Sequence, residues 1–432
     1  VRTFIIVWLG QLVSTFGSKM TGFALGIWAW EITGEATTLA LVSVSTQIPR
    51  LLILPFAGII VDRWNRKLLL IVGDTITVLS TVAILLLYVS GNLQIWHLYA
   101  IGIVNGAFNQ LQGLAYSASI TLMVPRQQYT RASSMGSVLH YGSIIIAPAL
   151  AGALYYVIGL LGILLIDIAT FAIAISTVLF VHIPQPPLPE QTSQDPKNIW
   201  QELQFGFRYI FASPGLWALL IAESLFVFAH DFGGALFRPM ILARTGNDAR
   251  VLGTISSAAG IGGVVGAVIV TTWGGPKRRI QGFLLGMVGA GISKTIFGLA
   301  RTPLIWLPAQ FCSSLNFPLK SSCSDAIWRL KVEPNLQGRV FASRRMFALA
   351  LSPIAKLIAA PLADYVVEPA MMPGGTLAPL LGSIFGTNPG AGMAFLYVMS
   401  SICLVLIGLG GYAFPSLREV EDSVPSGGAT TA

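Results

Sequence analysis

Apolar stretches of about 20 residues recur along the 432-residue chain, each long enough to cross a hydrocarbon core of about 30 Å as a helix. About twelve are legible, near 4–30, 38–61, 68–89, 95–124, 133–157, 160–181, 215–237, 252–273, 280–300, 304–328, 346–366 and 393–413. Lipid offers the backbone no hydrogen-bond partners, so a spanning segment is a helix or part of a closed barrel. No alternating strand pattern runs through these stretches. The expectation is an all-α, polytopic membrane protein with about twelve transmembrane helices in two pseudo-symmetric six-helix bundles. Only 10% of residues are charged, against about 25% in soluble domains, which excludes an ordinary soluble fold.

The net charge of +8 reflects topology rather than an affinity for nucleic acid. With the N-terminus inside, the clusters Arg63/Arg66/Lys67, Lys277/Arg278/Arg279 and Arg339/Arg344/Arg345 all fall in cytoplasmic segments, as the positive-inside rule requires. Arg238, Arg244 and Arg250 form the one basic group placed outside, and both termini are expected in the cytoplasm of a cell carrying this protein in its inner membrane. Cys312, Cys323 and Cys403 lie inside proposed helices and suggest neither a disulfide framework nor a metal site.

Residues 182–198 are polar and rich in proline, so no helix continues through them. They divide the chain into a bundle at 1–183, a linker at 184–214, a second bundle at 215–414 and a tail at 415–432. Within the linker, Ile199, Trp200, Leu203, Phe207, Ile210 and Phe211 recur at helical spacing and predict a helix lying in the membrane interface. The halves echo each other at an offset of 208 residues: Val124–Arg131 matches Val332–Arg339, and Gly58 matches Gly266. Duplicated halves around a midplane site are an architecture of alternating access.

Asp62-Arg63-Trp64-Asn65-Arg66-Lys67 is a burst of charge between two apolar runs, with Gly58 four residues ahead of Asp62. Trp8-Leu9-Gly10-Gln11 and Ser14–Ser18 mark helix 1, and Gln337-Gly338-Arg339-Val340-Phe341 precedes helix 11. Glu368-Pro369, Gly374-Gly375 and Asn388-Pro389-Gly390 mark the last outer loop. In these features the chain resembles the major facilitator superfamily, and more narrowly its drug:proton antiporter branch with macrolide and siderophore exporters. It departs from that branch in helix 4, where Ile103-Val104-Asn105 precedes Gly106, and in helix 5, where the Gly-Pro-x-x-Gly-Gly motif appears as Ala147–Gly152. The resemblance implies that Gly58, Asp62, Arg63, Arg66 and Lys67 form a conformational latch. Asp62 would dock near Ser343–Met346 at the start of helix 11, with the cations tethering the loop to the half-interface and lipid phosphates.

Polar stripes mark helices 1, 4, 7 and 10, which line the central cavity in the fold that the resemblance implies. They comprise Gln11, Thr15 and Ser18 with Lys19 at the margin; Asn105, Asn109, Gln112 and Tyr116; Glu223 and His230 with Asp231 at the edge; and Asn316, Lys320 and Cys323. A charge near the bilayer centre costs at least about 2.5–3.5 kcal/mol, so Glu223, Asp231, Lys19 and Lys320 need water, a partner or a neutral form. Glu223 and Asp231 are the proton-coupling candidates, with Lys19 or Lys320 pairing the deprotonated acid. Gln11, Thr15, Lys19, Asn105, Asn109, Gln112, His230, Asn316 and Lys320 are the cavity candidates, the helix 4 amides having helix-to-helix hydrogen bonding as their other reading. Asp325 is expected to pair with Arg329, Asp74 to anchor the loop at Lys67, and Asp167 to be structural. His97 is read as a satisfied boundary histidine. The glycine pairs Gly22/Gly26, Gly102/Gly106, Gly262/Gly266 and Gly282/Gly286 read as packing.

No nucleotide-binding, hydrolase or zinc-peptidase signature is present, so the expectation is a non-enzyme without cofactor or metal, driven by an ion gradient. The favoured function is proton-coupled efflux of an amphipathic, drug- or macrolide-like small molecule by a monomer in the lipid bilayer. The alternatives are a siderophore or lysophospholipid carrier of the same fold, and a non-transporting sensor or scaffold.

Overall fold

The computed structural model describes residues 2–125, 128–181, 199–333 and 336–422. Gly58, Asp62 and Arg63, three of the five latch positions, lie outside the described side chains. The helices are α1 (Arg2–Thr33), α2 (Ala36–Arg63), α3 (Arg66–Val89), α4 (Ile95–Met123), α5 (Tyr129–Phe180), α6 (Ile199–Ala212), α7 (Pro214–Thr245) and α8 (Ala249–Trp273). They continue as α9 (Arg279–Leu299), α10 (Pro303–Lys331), α11 (Gln337–Leu362), α12 (Glu368–Met371), α13 (Ala378–Phe385), α14 (Ala391–Gly410) and α15 (Pro415–Arg418). No strand occurs among the described residues.

Local chemistry sets the boundaries. Asn65, inside the charged burst, N-caps α3 by accepting from Leu68 N at 3.2 Å, satisfying a donor that the helix start leaves open. Gln94 and His97 cap α4 reciprocally, with His97 Nδ1 accepting from Gln94 N at 3.0 Å, so His97 is the satisfied boundary histidine expected. α5 holds two spans' worth of residues and breaks at Gly159, whose φ of 65° and ψ of −173° suit a residue without Cβ.

Eight helices among the described residues are long and apolar enough to cross a membrane, fewer than the twelve runs read from sequence. α1, α4 and α10 are long but absent from that set. The physical reason lies in their composition, since these three carry polar stripes that dilute their hydropathy. The chain is a multi-pass membrane protein.

The residues fall into two compact units, Val1–Thr192 with Thr245–Ser257, and Ser193–Arg244 with Ala258–Ala432. In the first, α1 packs on α5 so tightly that a Cβ on Gly10 would lie 2.2 Å from Thr177 Oγ1. A Cβ on Gly106 would lie 2.2 Å from Thr46 O, which presses α4 against α2. The degenerate helix 5 motif is also a packing device, for a Cβ on Gly152 would meet Ala249 O at 2.4 Å. That contact, and Trp30 Nε1 donating to Asn247 Oδ1 at 2.8 Å, place the start of α8 with the first unit. In the second unit Gly262 and Gly266 set α8 on α10 by the same means. Gly22 differs from the packing expectation, since a Cβ there would meet nothing within 4 Å.

The expected interfacial helix is α6. Its Gly206 lies against Ser343 and Arg339 O of α11, and Phe207 meets Phe347 edge-on at 6.4 Å. Ser343 is consequently fully buried beneath α6.

Candidate functional site

Within the second unit, α7, α10 and α11 bring charge together in an otherwise apolar setting. Glu223 on α7 is 7% exposed. Arg344 on α11 meets it with both arms of its guanidinium, Nε to Oε2 at 2.9 Å and Nη2 to Oε1 at 2.7 Å. The third nitrogen, Nη1, donates to Asp325 Oδ1 on α10 at 2.9 Å. Ser324 accepts from Arg344 Nη2 at 3.1 Å and donates to Glu223 Oε1, closing the ring. The guanidinium also lies over the Trp328 indole, 5.1 Å from its centroid. A planar fork matches a carboxylate in a way that a lysine ammonium does not.

These two ion pairs are energetically unequal. The side chains of Glu223 and Arg344 are 10% and 19% exposed, whereas that of Asp325 is 52% exposed. Exposed pairs contribute about 0–1 kcal/mol. Removing one partner of a buried pair strands the other at a cost of about 3–5 kcal/mol. Glu223–Arg344 is therefore the pair that governs local stability, with Asp325 an accessory.

A cavity of about 380 Å³ opens beside this cluster, with Glu223, Asp325 and Arg344 joined on its wall by Lys320 and the apolar Val227 and Phe341. Lys320 Nζ lies 4.3 Å above the Phe226 ring, a cation–π contact rather than an ion pair. His230 stacks on Phe226 and meets Phe317 edge-on at 4.9 Å, and its Nδ1 is buried without a hydrogen-bond partner among the described residues. Asn316 turns inward on its own helix, donating to Cys312 O at 2.8 Å, and its side chain fills the space left by Gly289. Asp231 acts electrostatically on Lys294 and Lys356, a separate group from the Glu223 cluster. Lys294 Nζ also reaches Tyr397 Oη at 3.3 Å.

The expected partners of several charges change. Glu223 pairs with Arg344 and not with Lys320. Asp325 pairs with Arg344, not with Arg329 one turn away. Arg344 was assigned to a loop because the apolar run of helix 11 begins at 346, whereas α11 begins at Gln337 and carries Arg344 inward. An arginine two turns into a helix, opposite an apolar helix bearing two acids, Glu223 and Asp231, was the available signal.

In the first unit the polar stripes meet each other. Asp74 accepts from Gln11 Nε2 at 3.0 Å and Gln112 Nε2 at 2.5 Å, so it joins α1, α3 and α4 instead of anchoring the loop at Lys67. Asn105 accepts from Ser80 at 3.0 Å and Asn109 from Thr77 at 3.4 Å, hydrogen bonds that run between α4 and α3. Thr15 bonds Gln11 O at 2.6 Å, and Lys19 is exposed. Asp167, buried at 1% exposure, accepts from Ser18 and Thr81. Arg50 donates to Gln110 Oε1 at 2.7 Å.

The latch cations with described side chains donate to backbone carbonyls of neighbouring helices. Arg66 donates to Ala118 O on α4 at 2.9 Å, and Lys67 to Leu179 O at 3.0 Å and Val181 O at 2.8 Å, where the negative end of α5 lies. The basic group placed outside is resolved similarly. Arg238 and Arg244 lie on α7, and Arg244 donates to Gly298 O, Ala300 O and Phe385 O. In the outer loop, Glu368 accepts from Gly390 N and from Met393 N at the start of α14.

Two units of apolar helices whose buried charges are gathered on few faces call for a comparison with transporters. Residues 7–355 match the Major Facilitator Superfamily. The chain belongs to that superfamily. Macrolide efflux protein A of Streptococcus pyogenes is 28% identical over 368 residues, covering 84% of this chain and 90% of that protein. The enterobactin exporter EntS of Shigella flexneri is 21% identical over 309 residues, covering 72% of each. Among solved structures, an inward-facing bacterial homologue of the iron transporter ferroportin superposes with a TM-score of 0.68 at 14% identity, over 98% of this chain and 99% of that one. The superfamily member described here is a membrane transporter, not an enzyme.

Proposed function

We propose that this facilitator exports amphipathic small molecules, drug- or macrolide-like, in exchange for protons, by alternating access of two six-helix halves with twelve spans in all. The observation that carries the reading is the buried Glu223–Arg344 pair on the wall of the 380 Å³ cavity. The similarity to macrolide efflux protein A supports the cargo class.

An ion pair held out of water can be exchanged but not simply abandoned, because either partner alone is costly there. Protonation of Glu223 would neutralise the acid and free Arg344 to change partner, with Asp325 already on its third nitrogen. Deprotonation would restore the fork. Asp231, beside Lys294 and Lys356, is the second candidate for proton exchange. Each protonation state favours one arrangement of α7, α10 and α11, and a cargo binding one arrangement better shifts the population.

The test is proteoliposome flux. A macrolide accumulated under an imposed pH gradient should be lost in Glu223→Gln and reduced in Asp231→Asn. Undiminished gradient-driven flux in both would remove these acids from the mechanism. Asp62→Asn is expected to abolish the same flux while leaving membrane insertion intact.

A further inference from the structure

The cavity wall carries more positive charge than the Glu223–Arg344 pair needs. Its ionisable side chains are Glu223 and Asp325 against Lys320, Arg329, Arg344 and Arg345, a surplus of two cations in their ionised forms. Arg344 is fully engaged by Glu223, Asp325 and Ser324. Lys320 lies over the Phe226 ring and in the field of Glu223, Asp325 and Arg344. Neither the Arg329 nor the Arg345 guanidinium makes an ion pair or hydrogen bond among the described residues, and both residues are exposed. Asp325, one turn before Arg329 on α10, has turned its Oδ1 to Arg344.

We infer that this cavity is an oxyanion site, in which Arg329 and Arg345 receive the carboxylate, sulfonate or phosphate group of a ligand whose apolar part lies along Val227, Phe341 and Ala348. Lys320 adds to the attraction from deeper along α10. About 1.5 Å of rise per residue separates it from Arg329 by roughly 13 Å, so it supplies field and not a shared contact. Two guanidiniums suit this role because each offers a planar fork that pairs two oxygens at once. A concave wall of one net sign also focuses its potential and raises the local concentration of the opposite charge.

The inference rests on the transporter reading in one respect, that the ligand is cargo. It narrows the proposed amphipathic cargo to one with an anionic head, and so favours a drug-like organic anion over a macrolide, whose amino sugar is cationic. The same chemistry is offered by a transported organic anion and by an anionic lipid headgroup, and the experiment separates them.

The full chain is placed in phosphatidylcholine nanodiscs, and binding of 2-naphthalenesulfonate is measured by calorimetry beside its uncharged sulfonamide. The sulfonate is expected to bind and the sulfonamide to bind at least about tenfold more weakly, which is about 1.4 kcal/mol. Arg329→Gln with Arg345→Gln should abolish that preference, and the paired lysine substitutions should restore part of it. Asp325→Asn, which removes an opposing carboxylate, should tighten binding severalfold. Competition by phosphatidylglycerol added to the nanodisc identifies a lipid headgroup as occupant, whereas binding indifferent to it identifies the free anion. Equal affinity for the two probes, no binding of the sulfonate, or an unchanged preference in the double glutamine variant overturns the proposal. None of these readouts depends on flux, so a protein that binds the sulfonate and moves nothing would sink the transport reading and leave the site standing.

Discussion

Asp74 and Glu223 are both buried acids on membrane helices, yet they are held by opposite means. Asp74 takes hydrogen bonds from two neutral amides, and Asp167 takes them from neutral hydroxyls, with no ion pair to either among the described residues. Glu223 is held by a guanidinium that also reaches a second acid. The positions across from these acids repeat the contrast. Gln112 on α4 and Lys320 on α10 stand 208 residues apart, the internal-repeat offset, and each packs on a glycine of the preceding helix, Gly73 and Gly286. A close helix contact thus carries a neutral amide in the first unit and an ammonium in the second. A cation shared between acids can change partner, and among the described residues Glu223 is the buried acid held in that way.

The largest effect should come from Arg344→Met, which strands Glu223 and is expected to cost about 3–5 kcal/mol. Thermal unfolding in detergent would register it. Adding Glu223→Met should recover much of that loss while leaving flux absent. If the double variant is no more stable than the single, the pair is not the governing contact.

Glu223→Gln ranks second. It keeps the shape of the site but loses charge assistance, worth about 1.5–3 kcal/mol for a hydrogen bond to a charged group. Asp74→Asn should matter less to stability, about 1 kcal/mol, because amides already surround it. Measured by the same unfolding curves, a loss for Asp74→Asn as large as that for Arg344→Met would break the comparison between the units. Smallest of all is Gly22→Ala, expected to be neutral because open space surrounds it. Gly106→Ala, facing Thr46 O, should be clearly destabilising by contrast.

The fold was legible because hydrophobic length is a local property. The boundaries of α3, α4 and α9 fall within two residues of the apolar runs, and the amphipathic pattern after the linker became α6. The site was legible only in part. Glu223, Lys320 and His230 follow from a helical period; the first two line one cavity, and His230 stacks on Phe226. Arg344 did not follow, because polar residues at a helix start resemble a loop. Asp74 and Asp325 were each assigned the nearest opposite charge along the chain, but side chains on one helix compete with those of every helix packed beside it.

Alone, the sequence determined that the chain lives in a membrane as helices, where it turns, and which few residues are too polar to face lipid. That follows from desolvation, which each segment meets by itself. Which polar group satisfies which other was decided by tertiary packing. Glu223 meets Arg344 across 121 residues, at a distance set by how three helices pack and not by any spacing along one of them.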